Sequence, residues 1–320
     1  MGELDRLLLN FYSSARSSSI EEFENFMLGA LLKRFDVDSA TWGAGIAGPD
    51  RGAIPYHIRF YHEEPGWLRR YEEVKDRDLR LQMVRKAHAG VAAINAPAVY
   101  RGAADRAVLE FMKKHGRANS LIAARFEEHG RFAVWVGLHR ASAAREFSRT
   151  DQLLLGALFP HVMEALQLNR SVCLDGLRAE QGARYQFALA DGRGHVYCDT
   201  AGFPALLRLE WPHRSSKQLP DEIVLAANRN GKYLGRAIVI RFRHRDGLLY
   251  LSARPRLDID ALSERELGIA KSVANGMTYK QIAKQSGLAP ATVRNHIQTI
   301  HGKLRVHNRA ALTALVLQGD

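Results

Sequence analysis

The stretch Pro290-Ala291-Thr292-Val293-Arg294-Asn295-His296-Ile297-Gln298-Thr299-Ile300-His301-Gly302-Lys303-Leu304 decides how the end of the chain is read. Val293, Ile297, Ile300 and Leu304 recur at i, i+4, i+7 and i+11, which makes one narrow apolar stripe on a helix. Asn295 and Gln298 lie roughly opposite that stripe, with Arg294 and His296 on its flanks. The exposed face therefore carries amides, a guanidinium and an imidazole, and no carboxylate. Such a set can hydrogen-bond base edges in a DNA major groove. Taken alone, an ordinary amphipathic surface helix would show the same stripe.

Its neighbours separate the two readings. Ser263-Glu264-Arg265-Glu266 fits a capping box, with Ser263 as N-cap and Glu266 reaching back to it. Leu267, Ala270 and Ala274 follow at helical spacing, and Gly276 stands where a C-terminal cap belongs. Thr278-Tyr279-Lys280-Gln281 is a second capping box, opening a short helix with Ile282 and Ala283 inward that Gly287 closes. Pro290 suits a first helical position. Asn308 caps a fourth helix carrying Leu312, Leu315 and Val316. Two short helices, a tight turn and a polar-faced third helix are the helix-turn-helix plan.

Leu262-Ser263-Glu264-Arg265-Glu266, Gly276 to Ala283, Thr292 to Ile297, Lys303-Leu304 and Asn308-Arg309-Ala310 together resemble the LuxR-type DNA-binding domain over residues 260–320. The resemblance implies an all-α four-helix domain acting on double-stranded DNA. It places Arg294, Asn295 and Gln298 against bases and Lys280, Thr292, His296 and Lys303 against phosphates. The helical wheel reaches much the same set, except that Lys303 falls nearer the apolar stripe than the groove face. One departure is Ala289, where the family commonly has a serine N-cap; losing such a cap costs ~1 kcal/mol.

Composition sets bounds on the rest. The 320 residues leave room for two or three domains, and 46% hydrophobic with 25% charged residues is ordinary for a globular protein. The net charge is +12, and residues 261–320 hold eight Lys or Arg against three Asp or Glu, a surplus of +5. A basic balance suits a polyanionic partner. Cys173 and Cys198 are too few for a disulfide framework. The charged start Met1-Gly2-Glu3-Leu4-Asp5-Arg6 is no signal pattern, and no apolar run spans a bilayer. We therefore expect a cytoplasmic protein with no membrane association.

Upstream, residues 3–12 and 20–35 read as helices, the second with an apolar stripe of Phe23, Phe26, Met27, Ala30 and Leu31. Gly43-Ala44-Gly45-Ile46-Ala47-Gly48 matches the dinucleotide-binding glycine pattern literally. That motif needs a helix directly behind it, whereas here a turn at 49–52 and a strand at 54–62 point to a β-hairpin. Helical segments near 66–88 and 103–114 precede two strands, 121–126 and 132–138, joined across 127–131. A helix follows from Thr150 to about Arg170, with Leu155, Leu158, Val162, Leu166 and Asn169 in one row. That row either packs on its own sheet or forms a homodimer seam. The element order resembles a GAF-like sensor domain over 1–170. Strands at 185–190, 195–197, 237–243 and 248–253, with turns at 191–194 and 246–247 and a short helix at 203–209, resemble a PAS-like domain over 171–255. Residues 254–260 read as a linker. The expected fold is thus multidomain α+β, with 256–320 as linker and helix-turn-helix.

No His-Glu-x-x-His, Gly-x-x-x-x-Gly-Lys-Ser/Thr or Gly-x-Ser-x-Gly motif occurs, and the histidines are scattered, so neither an enzyme nor a metal or cofactor site is expected. No early acidic pair precedes a phosphoacceptor Asp after a strand, which speaks against a phosphorylated response regulator. Tyr56, Trp67, Tyr71, Asp78 and Trp135 are the ligand-pocket candidates. Trp67, Tyr71 and Asp78 faintly resemble the Trp, Tyr and Asp of acyl-homoserine-lactone receptors, although Asp78 lies closer to Tyr71 than in that family and precedes Leu79 rather than Pro. Otherwise these aromatics are core packing. The chain reads as a dimeric DNA-binding transcription regulator governed by a small molecule or partner. Its alternatives are an acyl-homoserine-lactone-type receptor and a ligand-independent dimer with empty sensor scaffolds.

Overall fold

A computed structural model describes residues 2–47, 53–62, 66–127, 132–213, 217–229, 231–245 and 247–319. The turns expected at 49–52 and 128–131, and Asp246, lie outside the described residues, as does the side chain of Tyr56. The chain opens with α1 (Glu3–Ser17) and α2 (Ile20–Phe35). Ser19 starts α2 with a capping box: its hydroxyl accepts from the Glu22 N–H, and the Glu22 carboxylate accepts from the Ser19 N–H.

The hairpin β1 (Ser39–Ala47) and β2 (Ala53–Tyr61) comes next, strand followed by strand as the turn signals require. Then follow α3 (Trp67–Tyr71), α4 (Arg80–Lys86), β3 (Val91–Asn95), α5 (Ala96–Val99), α6 (Arg106–Lys114), β4 (Asn119–Glu127), β5 (Phe132–Arg140) and α7 (Arg149–Gln181). The five strands pair in the order β2-β1-β5-β4-β3, antiparallel throughout.

The period of two assigns each strand residue to a face. Trp42, Leu121, Ala123, Val136 and Leu138 join α1, α2 and α7 in one core. Ile122, Ala124 and Trp135 turn the other way, to Val84 of α4. Gly43 stands opposite Trp135, and a Cβ there would come within 2.4 Å of the indole. Gly43 is therefore explained by close packing of β1 against β5 rather than by nucleotide phosphates.

Three expectations are corrected. The helical span at 66–88 is broken into α3, a 3-10 turn at Lys75–Arg77 and α4, with Asp78 at the break. Instead of ending near Arg170, α7 runs to Gln181, because Cys173, Leu174 and Leu177 still have an apolar surface to cover around Phe187 and Leu189. The row Leu155, Leu158, Val162, Leu166 and Asn169 is buried inside the chain, and Asn169 donates to the carbonyls of Ala15 and Ser18. That row is internal packing and is not a dimer seam.

The second sheet is built from β6 (Gln186–Ala190), β7 (Val196–Asp199), α8 (Phe203–Arg208), α9 (Asp221–Arg229), β8 (Lys232–Leu234), β9 (Ile238–Arg245) and β10 (Leu248–Pro255), in the strand order β7-β6-β10-β9-β8. It repeats the succession of the first sheet: second, first, fifth, fourth, third. By backbone proximity the chain separates into two compact units: residues 1–200, 215–224 and 243–251 make one, and 201–214, 225–242 and 252–320 the other.

The helical end comprises α10 (Glu264–Ala274), α11 (Tyr279–Ser286), α12 (Pro290–Leu304) and α13 (Arg309–Gly319). Ile269, Ala270, Ile282, Val293, Ile300, Leu304, Leu312 and Val316 form its core. The segment read as a linker is fixed at both ends. Arg254 makes a bidentate pair with Asp260, at 2.6 and 2.7 Å, and Ile259 enters the helical core.

Candidate nucleic-acid interface and buried polar sites

Local chemistry fixes the helical domain as its sequence anticipates. Ser263 and Glu266 cap α10 reciprocally, and Thr278 and Gln281 do the same for α11. Gly287 ends α11 at φ 66°, a left-handed position suited to glycine. Ala289 gives α12 no side-chain cap, and Pro290 occupies the first turn. Asn308 Oδ1 accepts from the Ala311 N–H at 2.8 Å.

This scaffold leaves one face of α12 outward. Thr292, Arg294, Asn295 and Gln298 are exposed, His296 is half-buried, and Val293, Ile300 and Leu304 are buried beneath them. Lys280 is exposed on α11. The Arg294 guanidinium lies 4.9 Å over the Tyr279 ring, a cation–π contact that orients it. Lys303 departs from expectation: its Nζ donates to Glu266 Oε2 at 2.7 Å, bracing the end of α12 against the start of α10. This bond and the Ser263 N–H hold the Glu266 carboxyl at about 2.

The upstream candidates Trp67, Tyr71, Asp78 and Trp135 are brought together around a cavity of about 40 Å³. Trp67 and Tyr71 stack with centroids 4.6 Å apart. Tyr71 Oη donates to Asp78 Oδ2 at 2.9 Å and Tyr100 Oη to Oδ1 at 3.0 Å. Arg80 adds Nε and Nη2 bonds to the same carboxylate, the shortest 2.7 Å. Burial pushes the Asp78 carboxyl up, but the charge and hydrogen bonds of Arg80, with Tyr71, outweigh it and hold the pKa at about 2. Burial, with the Asp78 charge, raises the Tyr71 hydroxyl well above its ordinary value. His139 also lines the cavity; burial, then the charges of Arg117 and Arg80, keep its imidazole neutral. Sequence reasoning missed Arg80, Arg117 and His139, because a buried arginine carries no mark distinguishing it from a solvated one.

The opposite face of the sheet holds a second buried carboxylate. Glu24, fully buried on α2, accepts from Trp42 Nε1 at 3.2 Å, Arg59 Nε at 3.0 Å and Arg170 Nη2 at 3.5 Å, with His57 Nε2 3.5 Å away. Burial raises this carboxyl, but His57, Arg170 and Arg59 overcome it and bring the pKa to about 2. A signal for it existed: Glu24 precedes Met27, Leu28 and Leu31 at helical spacing and so lies on the buried side of α2.

Among the described residues, no group of three or more His, Cys, Asp or Glu is placed to hold a metal ion. No helix of these residues is long and apolar enough to cross a membrane.

Comparison with known proteins bears on the helical end. Residues 260–316 match the family described as bacterial regulatory proteins, luxR family. The C-terminal region is thus a luxR-family helix-turn-helix domain. A nitrate/nitrite response regulator protein homolog of Haemophilus influenzae is 40% identical over 60 residues, 19% of this chain and 29% of that protein. The nitrate/nitrite response regulator protein NarP of Escherichia coli is 42% identical over 57 residues, 18% and 26% of the two chains. Transcriptional regulatory protein UhpA of Escherichia coli is 32% identical over 108 residues, 33% and 49%. The chain therefore spans about a quarter to a half of the length of these relatives. Among solved structures, Escherichia coli SdiA aligns over 98% of this chain and 97% of its own, at 17% identity and a TM-score of 0.38.

Proposed function

We propose that the protein is a DNA-binding transcription regulator whose α12 enters the major groove as a recognition helix. The outward polar face of α12 within a luxR-family domain carries this reading. Arg294, Asn295 and Gln298 read bases, while Lys280, Thr292 and His296 contact phosphates. Lys303 serves the domain internally through Glu266. A homodimer on paired half-sites is the arrangement such a helix suits.

In this reading the upstream region is a sensor. Its repeated strand order supports assigning residues 1–170 to a GAF-like domain and 171–255 to a PAS-like one, with 256–320 as linker and helix-turn-helix. The acyl-homoserine-lactone alternative is disfavoured by Asp78. Its carboxylate already accepts from Tyr71, Tyr100 and Arg80, and the cavity of about 40 Å³ has room for water rather than an acylated lactone.

The experiment is a pair of binding titrations, on an operator selected from random DNA and on unselected DNA. Asn295→Ala is expected to lose about 1–3 kcal/mol on the operator and little on unselected DNA. Equal losses on both would remove Asn295 from base reading.

A further inference from the structure

A cavity of about 300 Å³ lies on the α7 side of the first sheet, between that helix and β7, all within one compact unit. This volume is in the range of small-molecule sites. Its charged lining is lopsided: Arg125, Arg170 and Lys217 against Glu164 alone. Arg125 and Lys217 stand at its exposed mouth, and Arg170 at its floor is only 6% exposed.

Arg170 is incompletely compensated. Its carboxylate partner Glu24 is 3.5 Å away and is shared with Arg59, which sits closer at 3.0 Å. Arg59 also reaches a second carboxylate, Glu21 at 3.7 Å, whereas among the described residues Arg170 pairs with Glu24 alone. The flat sides of Arg170 are covered by Tyr197 at 4.6 Å and Trp42 at 5.7 Å, which leaves its edge for hydrogen bonding. On that edge Nε has no hydrogen-bond partner among the described residues. A buried donor on a cation, left without an acceptor, carries a desolvation cost that a bound anion would offset. Met163 and Leu166 supply an apolar wall beside it.

We propose that this cavity binds a small organic anion, a carboxylate or phosphate ester on a compact apolar body. Its charged group accepts from the Arg170 guanidinium and is drawn in by Arg125 and Lys217, while its body lies along Met163 and Leu166. The site is separate from the Asp78 cavity, which lies across the sheet and whose Arg80 is paired with Asp78 at 2.7 Å. The inference names the effector class for the sensor reading above. It rests on that reading only for the step from binding to DNA response.

The test is isothermal titration of the full chain with sodium benzoate, phenyl phosphate and neutral benzamide. We expect one-to-one saturable binding of at least one anion and none of benzamide; the tighter anion identifies the charged group. Arg170→Gln is expected to abolish binding. Because that variant also disturbs Glu24, the deciding variant is Arg125→Gln with Lys217→Gln, both exposed, expected to bind at least tenfold more weakly while remaining folded by circular dichroism. Binding of neither anion, equal binding of benzamide, or full affinity in the Arg125/Lys217 variant would each overturn the site. An anion that binds as expected yet leaves operator affinity unchanged would uphold the site and overturn the effector reading instead.

Discussion

The two faces of the first sheet each bury one carboxylate at a pKa of about 2, yet they balance it differently. On one face Asp78 meets a single arginine and two tyrosine hydroxyls, so charge and hydrogen-bond capacity are both closed. On the other, Glu24 is divided between Arg59 and Arg170, and the less favoured arginine opens on a cavity. Similar pKa depression therefore accompanies a finished structural knot in one place and an unfinished electrostatic site in the other. What distinguishes them is the number of arginines that share each carboxylate, together with the space beside them.

Acid titration probes both at once and should give the largest effect. Each carboxyl has its pKa depressed from an ordinary 4.5 or 3.8 to about 2. The stability they contribute is full above pH ~4.5 and is lost as pH falls towards ~2, on the order of 5 kcal/mol in all. Urea denaturation at stepped pH should show this slope, and a slope unchanged in Glu24→Gln/Asp78→Asn would break the comparison at its root.

Asp78→Asn should cost about 3–5 kcal/mol, since it leaves Arg80 buried without a counter-charge. A loss below about 1 kcal/mol in urea would mean that Arg80 finds another partner. Glu24→Gln should cost less, about 2–3 kcal/mol, because Arg59 is partly exposed and keeps a second carboxylate in Glu21. If it proves the costlier change, the open face is the tighter one. Tyr100→Phe should cost only about 1 kcal/mol by thermal or urea unfolding, since Arg80 and Tyr71 still hold Asp78.

The helical end was legible in sequence because its determinants are local. Ser263 with Glu266, Thr278 with Gln281, and Gly287 act within one turn of their own helices, so spacing alone identifies them. Lys303 resisted that reading because its partner Glu266 lies 37 residues away. The sheet faces depend on such distant meetings throughout. The trio Trp67, Tyr71 and Asp78 was visible only through a family likeness. The same trio proves to be packed core and polar cluster together, completed by Arg80 and Tyr100. Alternation within the strands was readable, whereas the continuation of α7 past Arg170 was not, since it depends on a second sheet for Leu174 and Leu177 to meet.

The bond between Arg254 and Asp260 changes the mechanical character of the joint it closes. A free tether of this length would let the four helices sample a sphere of orientations about the end of the last strand. Two hydrogen bonds across six residues, with Ile259 embedded in the helical core, make the joint a rivet. The helices are thereby carried as cargo on the terminal residues of β10.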